Sequence, residues 1–239
     1  MRYTKAFTLL AFAGLLSVPV AGHATLVQVG SRAALGTALT VPWTAFGPVG
    51  SSLSVYEQTL VSPETVGINS SSGILDISQQ GNGLNGDFAP GLALLVQPNP
   101  DDGMLIGFDA PVLGFGVDID PANYTGAFTA YMEAFDASNM SLGTISVTGV
   151  EAGAGNGTAP FIGGTSFSDP ISYVVFGFVE PGNPDVSQFT LNGIPVLGNT
   201  AIDQASVIVA TPALPEPASL VLLGTAVAGL GVIRRRMTT

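Results

Sequence analysis

Apolar and polar residues alternate through much of the middle of this chain. From Gly126 to Asp136, Phe128, Ala130, Met132 and Ala134 fall on one side, and Thr129, Tyr131 and Glu133 on the other. Leu142 to Val150 sets Ile145 and Val147 against Thr144, Ser146 and Thr148. Val112 to Ile119 sets Phe115, Val117 and Ile119 against Gly116 and Asp118. Successive side chains of a strand point to opposite faces, so a period of two predicts half-buried strands. Ile171 to Val179 is nearly all apolar, which predicts a central strand, and Val186 to Leu191 alternates again through Phe189 and Leu191. Gly, Pro, Asn and Asp separate the runs, as turns require. No amphipathic helical pattern lies between the two ends. About ten strands over residues 25–211 predict one all-β domain, a β-sandwich of jelly-roll type.

The two ends break this pattern. Arg2 and Lys5 precede a mostly apolar run from Ala6 to Val20, and Pro19 and Gly22-His23-Ala24 close it. A basic start, a short apolar stretch and small residues at −3 and −1 predict a signal peptide over residues 1–24, cut after Ala24. Removing it takes away the only His, and the chain has no Cys. Cys nucleophiles, Ser-His-Asp triads, Cys/His zinc sites and disulfides are then excluded.

At the other end, Ala218 to Ile233 is 16 residues without a charge, followed directly by Arg234, Arg235 and Arg236. As a helix this run measures about 24 Å, and arginine stems reaching to the interface extend its span. Clustered arginines stay on the cytoplasmic side, so a transmembrane helix over 218–233 puts the preceding domain outside. Before the helix stands Pro215-Glu216-Pro217. Each Pro disfavours helical backbone in the residue before it, and Pro217 suits a first helical turn. The triplet is therefore a stiff, extended, acidic segment shown at the outer membrane face, a form in which a protease binds substrate.

Pro-Glu-Pro, an apolar helix rich in Gly, Leu and Ala, and a terminal arginine cluster closely resemble the PEP-CTERM sorting signal, here over residues 212–239. Such signals occur in Gram-negative bacteria that make extracellular polysaccharide. The resemblance implies recognition by exosortase, a membrane-embedded cysteine transpeptidase-like enzyme, with processing at or near Pro215, Glu216 and Pro217. It implies a membrane-anchored precursor that ends at the cell surface or in the extracellular matrix. The middle is similar to β-sandwich modules found in PEP-CTERM ectodomains, through Asn82 to Gly91, Phe115-Gly116-Val117-Asp118, Pro160-Phe161-Ile162-Gly163 and Phe189 to Asn192. Related patterns often end near an Asp-Asn pair, where this chain has Leu191-Asn192-Gly193.

Charge narrows the partners. Between residues 25 and 211 the only basic residue is Arg32, against sixteen acids. Such a surface repels phosphate and anionic lipid headgroups, so nucleic acid is not an expected partner. It is soluble, and it attracts cations such as Ca²⁺, whose ligands are oxygens. The acids singled out for Ca²⁺ are Asp118 and Asp120, which share a strand face, and the adjacent Asp101 and Asp102 in a Pro/Asn/Gly turn; Asn85 and Asp87 lie in a Gly loop. None follows the EF-hand spacing, and Asp and Asn are common in turns for local reasons.

Gly81-Asn82-Gly83-Leu84-Asn85-Gly86 fits G-x-G-x-x-G by letter, but Asp87-Phe88-Ala89-Pro90-Gly91 cannot cleanly start the helix a dinucleotide site needs. A glycosidase needs only two acids, and Glu57, Glu64, Glu133, Glu151 and Glu180 are available. Trp43, Tyr56, Tyr124 and Tyr131 are candidates for stacking on sugar rings, or half-buried core residues. The reading is an exported, non-catalytic β-sandwich, structural or adhesive in an exopolysaccharide or biofilm setting. A Ca²⁺-dependent carbohydrate-binding module and a secreted glycosidase are the alternatives.

Overall fold

The structure is a computed structural model that describes residues 26–36, 38–61, 64–181 and 189–209, without the side chains of 54–61, 64–65 and 69–73. The signal segment 1–24 with Ala24, the sorting segment 212–239, and the start of the strand expected from Val186 lie outside the described residues. No helix among the described residues is long and apolar enough to cross a membrane, and 218–233 is not among them.

Among the described residues, the regular structure is β throughout, apart from two 3₁₀ turns at Arg32–Leu35 and Trp43–Ala45. In chain order the strands are β1 (Val27–Gln28), β2 (Leu39–Val41), β3 (Ser52–Val61), β4 (Glu64–Gln80) and β5 (Gly83–Leu84). There follow β6 (Ala93–Val96), β7 (Met104–Pro121), β8 (Gly126–Phe135), β9 (Ser141–Glu151) and β10 (Phe161–Thr165). The last are β11 (Ile171–Val179), β12 (Phe189–Leu191), β13 (Ile194–Val196), β14 (Thr200–Ile202) and β15 (Ala205–Val209).

β7 is the spine. Its first half pairs antiparallel with β4 (Ile68↔Ile106) on one side and β11 (Val174↔Ile106) on the other. Sheet continues outward through β11 to β8 and β9, and through β4 to β3. Its second half takes different neighbours, β10 (Gly163↔Gly116) and β15 (Ser206↔Gly116), then β14 (Ile202↔Ile119). The change has a local cause. Against β7, β11 moves from Ile171 to Tyr173 while β7 moves from Val112 back to Gly107, a bulge that contains Pro111. Proline cannot donate to a ladder, and a bulge bends its strand. One long strand thereby serves two layers of a β-sandwich. Among the described residues, the only parallel pairing is the two-residue contact of β4 with β5.

The core lies between the layers. Phe128, Ala130, Met132 and Ala134 of β8 are buried, as are Phe115, Val117 and Ile119 of β7, in the phase that the period of two predicts. Phe108, Phe115 and Phe176 form a chain of tilted rings with centroids 5.6 and 5.9 Å apart. β11 is paired on both edges, as its apolar run predicts. A second, smaller cluster of Leu84, Phe88, Leu94, Val96 and Ala201 sits beneath the Gly-rich loop. Asn192 (φ 46°) and Gly193 (φ 78°) make the two-residue turn joining β12 to β13, and both carry the positive φ of a type I′ hairpin. This accounts for Asn-Gly after Leu191.

Backbone approaches side chain space most closely at Gly198, where a Cβ would lie 1.5 Å from the carbonyl oxygen of Asp102. A Cβ at Gly30 would meet nothing within 4 Å. Gly198→Ala is therefore expected to destabilise the fold by on the order of 3 kcal/mol, and Gly30→Ala by under about 0.5 kcal/mol. The urea midpoints of the two variants check this; equal midpoints would contradict the packing described.

Candidate functional site

The sole arginine of the middle segment is fully engaged. Arg32 lies in a 3₁₀ turn capped by Ser31, whose Oγ accepts from the Ala34 N–H at 3.2 Å. Its Nη2 donates to both oxygens of Asp203 (2.7 and 2.9 Å) and to Asp118 Oδ2 (3.1 Å). Its Nη1 donates to Gln204 O (2.8 Å) and Ser206 Oγ (2.7 Å), and the guanidinium lies 5.6 Å from the Phe161 ring centre. Asp203 also accepts from the Asp118 N–H at 2.8 Å. Burial, then the Asp118 charge, pushes the Asp203 carboxyl up to about 7, with Arg32 pulling the other way. The arrangement ties the N-terminal turn to β7, β10 and the start of β15.

Asp118 is thus held by Arg32 and does not join Asp120, although two residues separate them on β7. Asp120 turns to a different set. The carboxylates of Asp87, Asp120 and Glu151 each offer an oxygen, all within 4.8 Å of one another. All three residues are buried, at 2%, 0% and 3% exposure. Asp87 comes from the loop between β5 and β6, Asp120 from the end of β7, and Glu151 is the last residue of β9.

Glycine-rich backbone builds this cluster from two sides. Gln80 clamps the first loop: its Nε2 donates to Gly86 O (2.6 Å) and its Oε1 accepts from the Gly86 N–H (3.0 Å). A Cβ on Gly86 would stand 3.2 Å from Asp120 Oδ2, so glycine allows the carboxylate to lie against the chain. The Asp87 N–H donates to that same oxygen at 2.7 Å. On the other side, three successive amides point at the acids. Ala152 and Ala154 N–H donate to Asp87 Oδ2 (2.9 Å) and Oδ1 (2.8 Å), and Gly153 N–H donates to Glu151 Oε1 (2.5 Å). Gly153 has φ +65° and Gly155 φ +58°, a conformation open to glycine at little cost. Gly155 N–H and Ala159 N–H then close onto Gly86 O and Asp87 O, both at 3.0 Å.

Two oxygens are left over. Asp120 Oδ1 and Glu151 Oε2 are buried and receive no donor from the rest of the protein. Two ionised carboxylates no more than 4.8 Å apart repel by at least roughly 3.5 kcal/mol at an effective dielectric near 20. The Asp120 carboxyl is accordingly pushed up to about 9, by burial first, then by hydrogen bonding with Glu151, with the Glu151 and Asp87 charges adding; only the Asp87 N–H opposes. Chemically, the arrangement holds either a proton between Asp120 and Glu151 or a cation bound by oxygens alone.

The other expected residues go elsewhere. Asp101 and Asp102 form a local turn in which Asn99 Oδ1 accepts from the Asp101 N–H (3.1 Å) and Asn99 Nδ2 donates to Asp102 Oδ2 (3.2 Å). Trp43 is fully buried, with its indole N–H on Asp203 O (2.6 Å) and Ile202 O (3.1 Å), which corrects its candidacy for sugar stacking. Tyr124 packs on Phe178 with ring centres 6.1 Å apart and donates to Ala127 O. Tyr131 is half-buried in β8, and the Tyr56, Glu57 and Glu64 side chains lie outside the described ones. Glu133 is buried and accepts from Ser141 Oγ at 2.6 Å, and Glu180 is half-buried. Among the described residues, the three acids that meet are all buried. The G-x-G-x-x-G letters deliver Asp87 to the cluster and no helix follows them. By sequence alone Glu151 is one of five candidate glycosidase acids; the run Ala152 to Gly157 after it, alternating small residues with Gly, is the signal that pairs it with Asp87.

No family model matches the chain, and no curated protein matches it. Among solved structures, it is similar to a DUF4465 family protein from Bacteroides caccae, at 11% identity and a TM-score of 0.40, over 85% of this chain and 99% of that one. It is also similar to CsCBM6-3 from Clostridium stercorarium, solved in complex with cellobiose, at 14% identity and a TM-score of 0.28, over 60% of this chain and 93% of that one.

Asp120 and Asp203 both sit above the ordinary carboxylate value, at about 9 and about 7. Folding therefore takes up protons, and the stability this contributes is complete below pH 4 and lost as pH rises through 7 and then 9. In chelator, the urea midpoint is expected to fall from pH 5 to pH 8.5, and Asp120→Asn to flatten the part above pH 7. A midpoint that rises over this range contradicts the protonation described.

Proposed function

We propose that this is an exported, non-catalytic protein of the cell surface or extracellular matrix, sorted through its C-terminal Pro-Glu-Pro segment by an exosortase. The observation that carries the reading is the order Pro215-Glu216-Pro217, an uncharged run from Ala218 to Ile233, and Arg234-Arg235-Arg236. The N-terminal signal pattern ending at Ala24 supports export. An all-β domain with one arginine and no Cys suits a structural or adhesive part in an exopolysaccharide or biofilm setting, where a soluble, acidic, redox-inert module is needed. The jelly-roll form of the sandwich and the two terminal helices belong to this proposal.

A Ca²⁺-dependent carbohydrate-binding module is the second reading. What favours it is a shallow depression lined by Gln80, Gly81, Asn85, Pro90 and Gly153 to Gly155, next to the acidic cluster. A glycan array run with and without chelator tests it, and absence of binding in both conditions removes it. For the main reading, Glu216→Ala is expected to leave export intact and to block maturation in the native host. Immunoblots and mass spectrometry of the C-terminal peptide read the outcome. Normal maturation of the variant overturns the sorting role of the triplet.

A further inference from the structure

We propose that Asp87, Asp120 and Glu151 form a Ca²⁺ site that fastens the 152–159 connection onto the loop carrying Asp87. Two independent observations meet here. The first is geometric: three buried carboxylates from separate parts of the chain bring oxygens within 4.8 Å of one another. An ion about 2.4 Å from each oxygen spans such a separation. The second is the pair of buried atoms, Asp120 Oδ1 and Glu151 Oε2, that no donor outside the two acids reaches, at the same place. Buried polar atoms find partners as a rule, and these two belong to fully enclosed acids.

The protein supplies no counter-charge of its own. Among the described residues Arg32 is the only basic one, and it is spent on Asp118 and Asp203. The amides of Ala152, Gly153 and Ala154 neutralise part of the charge on Asp87 and Glu151, but none reaches Asp120 Oδ1 or Glu151 Oε2. A proton between these two atoms cancels one charge of three. A divalent ion cancels two, and it uses both open atoms at once.

The donor set selects the metal. It contains oxygen only, which suits hard cations and disfavours those that prefer nitrogen or sulfur. Mg²⁺ holds its waters tightly and demands strict octahedral geometry, whereas Ca²⁺ accepts six to eight oxygens in flexible arrangements and tolerates carboxylates from distant parts of a chain. Water completes the sphere. Sites of this kind in extracellular modules bind at about 10⁻⁴–10⁻³ M, so export itself would fill the site. The ion then joins the end of β9, the end of β7 and the Gly-rich loop, three parts with no strand pairing among them.

The test uses the full chain in mild detergent, freed of metal and titrated with CaCl₂. One saturable site is expected by calorimetry, with the melting temperature rising by ~5–10 °C at a hundredfold excess over Kd. Asp120→Asn and Glu151→Gln, which keep side-chain shape, are expected to weaken binding at least about tenfold, while Asp101→Asn in the exposed turn binds as the parent does. No heat and no melting shift up to about 100 mM CaCl₂, a hundredfold excess over the weakest expected Kd, overturns the proposal in favour of a shared proton. Unaltered binding in both cluster variants, or equal response to MgCl₂, overturns it too. Should either variant fail to fold, hydrogen exchange on the parent decides: Ca²⁺ must slow the amides of 152–154, and unchanged exchange there counts against the site. These readouts concern the purified chain, so they stand apart from maturation in the host.

Discussion

The structure turns on a shortage of positive charge. Sixteen acids and one arginine occupy residues 25–211, with no His beyond residue 23. An enclosed carboxylate needs compensation, because desolvation penalises its charged form. Arg32 is placed where it does the most: it reaches Asp203 and Asp118 at the seam where β7 passes from β15 to β14. Elsewhere the backbone takes over. Asp87 is met by two amides, Glu151 by one, and Glu133 by a serine hydroxyl. Asp120 Oδ1 and Glu151 Oε2 are left without such help.

Packing and charge are joined at that seam. Gly116 of β7 faces Gly163 of β10, and the Phe161 ring lies across both glycines. A Cβ at Gly116 would come 2.3 Å from the ring, so the flat surface exists because both positions lack side chains. The ring in turn lies beneath the Arg32 guanidinium. The glycines that a propensity scale counts against a strand here make room for the aromatic platform under the one cation.

The sequence patterns reached the parts of this architecture that are locally encoded. The phases of β8 and of the second half of β7 follow from alternation, and the central place of β11 from its unbroken apolar run. β10, β14 and β15 are too short for a period to register, and β4, at Asn69 to Gly73, runs through Asn, Ser and Gly. The acids show the same limit. Alternation correctly sets Asp118 and Asp120 two apart on one strand, but their partners lie far along the chain: Arg32 and Asp203 for one, Asp87 and Glu151 for the other. Local spacing cannot say which distant segment returns to which side chain. Trp43 misled for a related reason, since an indole suits a sugar face and a core equally well, and only the closure of residues 202–203 over it decides.

The engagement of Arg32 has an outcome outside folding. Enzymes of the trypsin type cut after lysine or arginine, and this stretch of chain offers them one such bond. Its side chain makes five hydrogen bonds and cannot enter a specificity pocket without unlocking the seam. With no cysteine to be oxidised or exchanged, the folded module presents little to tryptic cleavage or thiol chemistry, which is a form of durability achieved by omission.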